Sequence, residues 1–328
     1  MAVPRAMRSR LRAAGGCVAL AVTLLVTGSP SVTLAAGWDS IAAWFSRRVH
    51  DVGIVGASLA FVKDGVLAHE VVVGLQDRDA NRPVDRDTIF HWASITKTFT
   101  GVAIMQLRDR GLLSLDDPVV TYVPELREVH NPFGNMSQVT IRHLMSHTGG
   151  FRASTWPWGG SQSWQPFEPT RWAQLVAMMP YTALAFRPGT AYSYSNPGVI
   201  FLGRIIEALS GDDYEVYVAK NILMPLGMTR TFFDRAPVHL LPHRSHSYTR
   251  NGTTLREQPF DFDTGITVSN GGLNAPLGDM ATYLTFLIDG NETVLRRSSL
   301  IELATPQVLA RGGAGGCWSA GLAGPSCF

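Results

Sequence analysis

A β-hairpin is the first element that the pattern of apolar positions predicts. Two runs rich in Val, Leu and Ala, residues 54–62 and 66–73, flank the polar segment Lys63-Asp64-Gly65. An Asp-Gly pair between two β-prone runs is the favoured two-residue turn of a hairpin. We therefore expect two antiparallel strands over residues 54–74.

Helical periodicity replaces this pattern further along the chain. Apolar residues recur at spacings of three and four from Ser94 to about Arg110, and Gly111 is placed to cap that helix. The Pro- and Trp-rich segment 152–171 predicts irregular structure. Strands followed by many helices favour an α+β fold with a helical insertion. The other helical patterns cover 171–179, 199–209, 214–223 and 277–288.

The first 36 residues have the pattern of a secretory signal peptide. They contain four Arg and no acidic residue, followed by the apolar run 18–26 and small residues up to Ala36. This run is about half of the roughly 20 residues that a transmembrane helix needs, so cleavage near Ala36 or Gly37 is favoured over anchoring. We expect export to the periplasm or the cell exterior, with no stable membrane span afterwards.

The composition of the chain argues against disorder and against nucleic-acid binding. With 45% hydrophobic and 16% charged residues in 328, the chain is not disordered. Without the leader, 24 basic residues face 26 acidic ones, so nucleic-acid binding loses its compositional support. Cys17 belongs to the leader, and Cys317 and Cys327 could pair only across a short terminal loop.

A histidine cluster carries the only metal-like spacing. His239, His243 and His246 lie close together, but Pro242 interrupts the helix that would align them. A solvated loop is therefore favoured over a zinc site, and no metal or cofactor is expected.

Ser94 and Lys97 form the first candidate for catalysis. Residues three apart lie on one face of a helix, so the Ser94 hydroxyl and the Lys97 amine can approach each other. A serine hydroxyl needs a base to become a nucleophile, and a neutral amine can serve when burial lowers its pKa.

The use of basic residues strengthens this interpretation. The chain contains 25 Arg and only three Lys: Lys63, Lys97 and Lys220. Arg stays protonated and cannot act as a base, whereas Lys can. Lys63 precedes a turn and Lys220 lies on the polar face of a predicted helix, so Lys97 is the lysine that needs a chemical explanation.

Tyr194 and Asn196 form the second candidate, in a loop rich in turn residues between two predicted helices. A phenol can relay a proton, and a carboxamide can hold a substrate amide or orient a lysine. An Asn before a Pro is also common in ordinary turns, so this motif alone is weak.

Together these segments resemble the serine β-lactamase and penicillin-binding-protein superfamily, in its class C β-lactamase, esterase and D-aminopeptidase-like branch. The resemblance covers about residues 38–307. The segments that carry it, in the order of the family, are 87–100, 111–118, 140–150, 194–196 and 271–273 with Asp279 and Met280.

The resemblance implies an antiparallel sheet flanked by helices, with an all-helical domain inserted at about 115–265. It implies Ser94 as the nucleophile, Lys97 as its base partner, Tyr194 as the proton relay and Asn196 as the contact to the substrate amide. The backbone N–H of Ser94 would supply half of an oxyanion hole. His147 also matches a family segment, where it is structural.

One family motif has no match. The third motif, Lys-Thr-Gly or His-x-Gly on a late strand, is absent, and residues 311–328 form a Gly-rich tail with neither strand alternation nor a helical stripe. We therefore expect a hydrolase domain over 37–310 that lacks the family's last strands. A form without them is expected to be catalytically poor or unstable.

Two functions follow as expectations. The first is an exported serine hydrolase that acylates Ser94 with a β-lactam, a D-amino-acid peptide or a carboxylic ester. The second is a catalytically impaired relative that binds penicillin or a peptidoglycan-derived muropeptide. An α/β-hydrolase is excluded because no Gly-x-Ser-x-Gly elbow exists. The cluster Trp156, Trp158, Trp164 and Trp172 predicts either a substrate cleft or packing under a loop.

Overall fold

The computed structural model describes residues 30–152, 169–309 and 317–319 of the chain. The chain divides into two compact units, Met1–Ala43 and Trp44–Phe328. Helix α1, Pro30–Val52, contains the cleavage position predicted near Ala36, and export stays a prediction. Within the described ranges, no helix combines the length and the apolarity needed to cross a bilayer.

The second unit is a mixture of helices and antiparallel strands, which confirms the predicted α+β class. The helices after α1 are α2 Thr96–Asp109, α3 Ile141–Met145, α4 Trp172–Val176, α5 Asn196–Ser210, α6 Tyr214–Val218, α7 Met224–Leu226, α8 Val268–Gly271, α9 Leu277–Asp289 and α10 Arg297–Ala304. The strands are β1 Gly56–Lys63, β2 Val66–Asp77, β3 Arg82–Pro83, β4 Ile89–His91, β5 Phe232–Phe233, β6 Ser247–Asn251, β7 Thr254–Gln258, β8 Leu273–Pro276, β9 Pro306–Leu309 and β10 Cys317–Ser319.

The predicted hairpin is present. Strands β1 and β2 pair antiparallel, with Lys63 opposite Val66. Asp64 and Gly65 both have positive φ, 50° and 73°, as the favoured two-residue hairpin turn requires. Helix α9 packs against both strands, so the hairpin does not have to be stable alone.

Helix α2 lies in the centre of the core. Every residue from Thr96 to Leu107 is buried, because α5, α6, α8 and α10 pack around it. Close packing on all sides of a helix fixes its position and its rotation. This is the helix that carries Lys97, so the amine of this residue sits on a rigid element.

Three strands form an antiparallel sheet in the order β4-β8-β5. Its first strand, β4, directly precedes α2 in the chain. Strand β8 is buried along its whole length and pairs with β4 through Ile89 opposite Pro276 and His91 opposite Asn274. The turn after β4 leads directly into α2, so this sheet determines where the residues between them lie.

The predicted helical insertion, about 115–265, holds helices α3 to α7 in its earlier part. Strand β5 and the hairpin of β6 and β7 follow within the same limits. The periodicity around 214–223 corresponds to α6 and a π-helix, Ala219–Leu223, that continues it. The boundaries of an inserted domain stay a prediction.

The predicted absence of a strand in the Gly-rich tail is wrong at one place. Strand β10, Cys317–Ser319, pairs antiparallel with β9, and Cys317 lies opposite Leu309. Its three residues belong to a stretch without glycine, so the entropic cost that glycine adds to a strand is absent there. Cys327 lies outside the described residues, so the structure does not test whether it pairs with Cys317.

A close approach between α5 and α8 gives a stability prediction. A Cβ on Gly203 would lie 2.5 Å from Ser269 Oγ and 2.6 Å from its Cβ. Gly203→Ala is therefore expected to lower the free energy of unfolding by about 1–3 kcal/mol, in spite of the better helix propensity of Ala. Urea or thermal unfolding measures this.

Gly278→Ala is the matched control, since Gly278 lies in α9 and a Cβ there meets nothing within 4 Å. It should leave stability unchanged or raise it slightly. Equal stability of the Gly203→Ala variant and the wild type would show that the two helices can separate without cost.

Candidate active site

Ser94 lies in a 3-10 turn, Ala93–Ile95, between β4 and α2. The Trp92 N–H donates to Leu273 O at 2.9 Å, and the Trp92 indole N–H donates to Ala275 O at 2.9 Å. Ala93 has a φ of 43°, which costs an ordinary residue on the order of 1–3 kcal/mol. Strand β8 therefore fixes a strained turn that leaves Ser94 exposed to solvent.

Lys97 lies one helical turn further on and is buried, with 3% of its surface exposed. Its Nζ donates to Ser94 Oγ at 3.2 Å and to the backbone oxygen of Asn270 at 2.8 Å. Burial lowers the pKa of the Lys97 ammonium from 10.5 to about 7. Much of this amine is therefore neutral near pH 7, with a lone pair beside the serine.

Tyr194 approaches Ser94 from the loop before α5. Its hydroxyl donates to Ser94 Oγ at 2.7 Å, and Lys97 Nζ lies 4.9 Å from the centre of its ring. Burial raises the pKa of the Tyr194 phenol, and its hydrogen bond to Ser94 opposes this in part. The phenol is therefore protonated near neutral pH and is a hydrogen-bond donor to the serine.

Asn196 is the first residue of α5 and makes no hydrogen bond to Ser94, Lys97 or Tyr194 in the described residues. Its backbone oxygen accepts a hydrogen bond from Asn270 Nδ2 at 3.4 Å. Its side-chain Oδ1 is buried and has no hydrogen-bond partner among the described residues. An unsatisfied buried acceptor costs on the order of 1–3 kcal/mol.

Two residues of the site are absent from the sequence-based set of candidates. The Asn270 backbone oxygen orients the Lys97 amine. His147 accepts a hydrogen bond from the Ser195 N–H at Nδ1, 3.1 Å away, and its ring centre lies 4.7 Å from that of Tyr194. Burial, and then the charge of Lys97, lower the pKa of His147 from 6.5 to about 4.

The histidine cluster does not form a metal site. The described residues contain no group of three His, Cys, Asp or Glu side chains arranged to hold a metal ion. The expectation of a solvated loop is wrong for His246, whose side chain is only 14% exposed. Its Nδ1 lies 2.9 Å from Glu257 Oε1, and its ring stacks on Phe260.

Trp172 supports the packing interpretation of the tryptophan cluster. Its ring meets Phe201 edge-on, with the centres 6.3 Å apart, and its indole N–H donates to Glu125 Oε1 at 3.2 Å. It therefore stabilises the contact of α4 with α5. Trp156, Trp158 and Trp164 lie outside the described residues.

A family model named Beta-lactamase matches residues 41–321 of the chain. This is most of the sequence, and the protein belongs to the Beta-lactamase family. The match begins close to the predicted start of the resemblance at residue 38 and extends beyond its predicted end at residue 307 into the Gly-rich tail.

Several known proteins are similar to this chain in sequence or in structure. Esterase EstB of Burkholderia gladioli is 31% identical over 60% of this chain and 51% of its own length. The octameric penicillin-binding protein homologue from Pyrococcus abyssi has a TM-score of 0.74 and 30% identity, over 86% of this chain and 64% of that one. EstCE1, a hydrolase with promiscuous acyltransferase activity, has a TM-score of 0.73 and 20% identity, over 85% and 81% of the two chains.

The named relatives are longer than the matched part. The chain spans about half or less of the length of the curated relatives that it matches first, 51%, 39% and 51%.

Proposed function

We propose that this protein hydrolyses a carboxylic ester or an amide through an acyl-enzyme at Ser94. The single observation that carries the proposal is the convergence of two groups on one oxygen. Ser94 Oγ accepts hydrogen bonds from Lys97 Nζ at 3.2 Å and from the Tyr194 hydroxyl at 2.7 Å. One of these groups is a base near neutral pH, and the other is an acid.

In the acylation step, Ser94 Oγ attacks the carbonyl carbon of the substrate. Neutral Lys97 takes the proton that leaves Oγ, and Tyr194 gives its phenolic proton to the departing alcohol or amine. The backbone N–H of Ser94, in the 3-10 turn that precedes α2, supports the negative charge on the carbonyl oxygen. The products are the ester of Ser94, the free leaving group, a Lys97 ammonium and a Tyr194 phenolate.

In the deacylation step, water occupies the place of the leaving group. The Tyr194 phenolate takes a proton from this water, and the resulting hydroxide adds to the acyl carbon. When the carbon–oxygen bond to Ser94 breaks, Lys97 returns its proton to Oγ. Both residues regain their starting protonation states, so the cycle closes without a further reactant.

Esters, D-amino-acid peptides and β-lactams all fit this cycle, because each presents a carbonyl and a leaving group. EstB is named an esterase, and another structural neighbour is a D-amino acid amidase. To contact an amide substrate, the Asn196 side chain would have to turn outward, so that its unpaired Oδ1 accepts the substrate N–H. A preference for amides over the matching esters would support this role.

Active-site labelling tests the proposal. A fluorophosphonate and a fluorescent penicillin are each incubated with the protein, and the modified peptide is mapped by mass spectrometry. We expect the label on Ser94. Turnover of a chromogenic ester or a cephalosporin identifies a hydrolase, whereas labelling without turnover identifies the impaired binding relative. A label on another residue, or none, would overturn the assignment of Ser94.

The pH dependence follows from the lowered pKa of Lys97, about 7. Below this value the ammonium form dominates and has no lone pair to accept the Ser94 proton. For a neutral ester, kcat/KM should rise about tenfold per pH unit below pH 7 and level off above it. A rate that stays constant between pH 5.5 and 8.5 would show that Lys97 is not the base.

Export forms a separate part of the proposal. The basic, apolar and small-residue regions of the first 36 residues support a cleaved signal peptide. N-terminal sequencing of the exported protein should give a start near Ala36 or Gly37. A start at Met1 or Ala2 would contradict cleavage.

A further inference from the structure

His147 holds the chain on both sides of Tyr194. Its backbone oxygen accepts the N–H of Ser193 at 2.9 Å, and its Nδ1 accepts the N–H of Ser195 at 3.1 Å. Tyr194 lies between these two anchored residues, and its own ring packs against the imidazole with 4.7 Å between the centres. One residue therefore contacts the tyrosine segment through its backbone, its ring nitrogen and its ring face.

The backbone of His147 is itself in an unusual conformation. Its φ is 57°, in the left-handed region that is uncommon for residues other than Gly, although Asn, Asp and His are enriched there. The residue is 93% buried, and the loop around it is tied further by the Gly189 N–H, which donates to Thr148 O at 2.9 Å. Strain of this kind persists only where the surroundings fix it, and it is common at functional sites.

The hydrogen bond to Ser195 requires a lone pair on Nδ1. The neutral imidazole must therefore carry its proton on Nε2. The titratable groups that face the ring are Lys97, Tyr194 and Tyr192, whose ring centre is 5.9 Å away. Burial and the Lys97 charge keep the pKa of His147 near 4, so the acceptor is present over the working range of Lys97.

We propose that His147 is a positioning residue that holds the Tyr194 hydroxyl at hydrogen-bond distance from Ser94. It touches neither Ser94 nor the reacting carbonyl and acts through Tyr194 alone. The inference rests on the proposed function, and it adds the residue that determines where the proton donor lies. A misplacement of about 1 Å can cost on the order of 100-fold in rate, so the effect should be measurable.

Two substitutions distinguish the effect of the Nδ1 acceptor from that of the rest of the His147 ring. His147→Asn keeps an oxygen near the place of Nδ1 and tolerates a positive φ. His147→Gly also accepts this φ but removes the acceptor, while the backbone bond to Ser193 remains. We expect kcat/KM of the Asn variant to stay within about threefold of the wild type, and that of the Gly variant to fall on the order of 10- to 100-fold.

A double-mutant cycle with Tyr194→Phe tests whether His147 acts through the phenol. Tyr194→Phe alone should slow acylation, deacylation or both, with a cooperative melt retained. If His147 acts only on the hydroxyl, His147→Gly should cost less than about threefold in the Tyr194→Phe background. His143→Ala is the control, since His143 accepts the Thr140 N–H within the same segment, and its effect should be the same in both backgrounds.

The outcomes separate this inference from the proposed function. An equal loss from His147→Gly in both backgrounds, or an Asn variant as slow as the Gly variant, overturns the positioning role even when Ser94 is labelled. Failure of Ser94 labelling overturns the function itself. If the Gly variant does not melt cooperatively, the Asn variant decides, since a rate as low as that of Tyr194→Phe contradicts the proposal.

Discussion

Ser94→Ala is expected to abolish turnover, with a loss in kcat on the order of 10⁴-fold or more. The variant removes the only oxygen on which Lys97 and Tyr194 both converge in the described part of the chain, at 3.2 Å and 2.7 Å. Without it, no covalent intermediate forms, and the remaining groups cannot divide the reaction into two easier steps. Steady-state hydrolysis of a chromogenic ester, together with covalent labelling, measures the effect.

The matched control for this prediction is Ser210→Ala. Ser210 ends helix α5, and its hydroxyl donates to Ile206 O at 2.7 Å, away from the site. This variant should keep its activity and its label. Ser94→Ala with more than a tenth of the wild-type activity, in protein shown by mass to be free of wild type, would contradict the nucleophile assignment.

Local chemistry in the sequence was enough to predict the pairing of Ser94 with Lys97. A spacing of three on a helix fixes the distance between two side chains without any knowledge of the fold. The hairpin was predictable for the same reason, because Asp64 and Gly65 determine their own turn. The approach of Tyr194 to Ser94, 100 residues away in the chain, was predictable only through the family resemblance.

Contacts to backbone atoms could not be predicted. Lys97 is oriented by the carbonyl oxygen of Asn270, 173 residues away, and every residue type offers such an oxygen. The role of His147 depends on its positive φ and on the position of the Ser195 N–H, which the fold determines. Strand β10 was missed because a high glycine content conceals a short pairing segment.

Burial gives Lys97 a chemistry that an arginine at the same place would not have. The chain itself contains the comparison, since Arg244 is only 2% exposed and lies against Phe232. Burial lowers the pKa of Arg244 only to about 10, so this guanidinium stays charged at neutral pH. The same degree of burial lowers the pKa of Lys97 to about 7, where a neutral amine exists.

Lys97→Arg should therefore lose activity on the order of 10²- to 10⁴-fold, although it keeps the positive charge and the hydrogen-bond donors. The loss should persist at pH 9, because the guanidinium is still protonated there. kcat/KM for a chromogenic ester, measured at pH 7 and pH 9, tests this expectation. The rate of Ser94 labelling at the same two values separates the acylation step from turnover.

Lys220→Arg provides the control, because the Lys220 amine is exposed and pairs with Asp212 Oδ2 at 2.7 Å. An arginine makes the same ion pair, so activity and stability should both be unchanged. If Lys97→Arg folds with a sharp melt and still turns over the ester within tenfold of the wild type, the amine is only a positive charge near Ser94. The proton of Ser94 would then have to leave by way of Tyr194 alone.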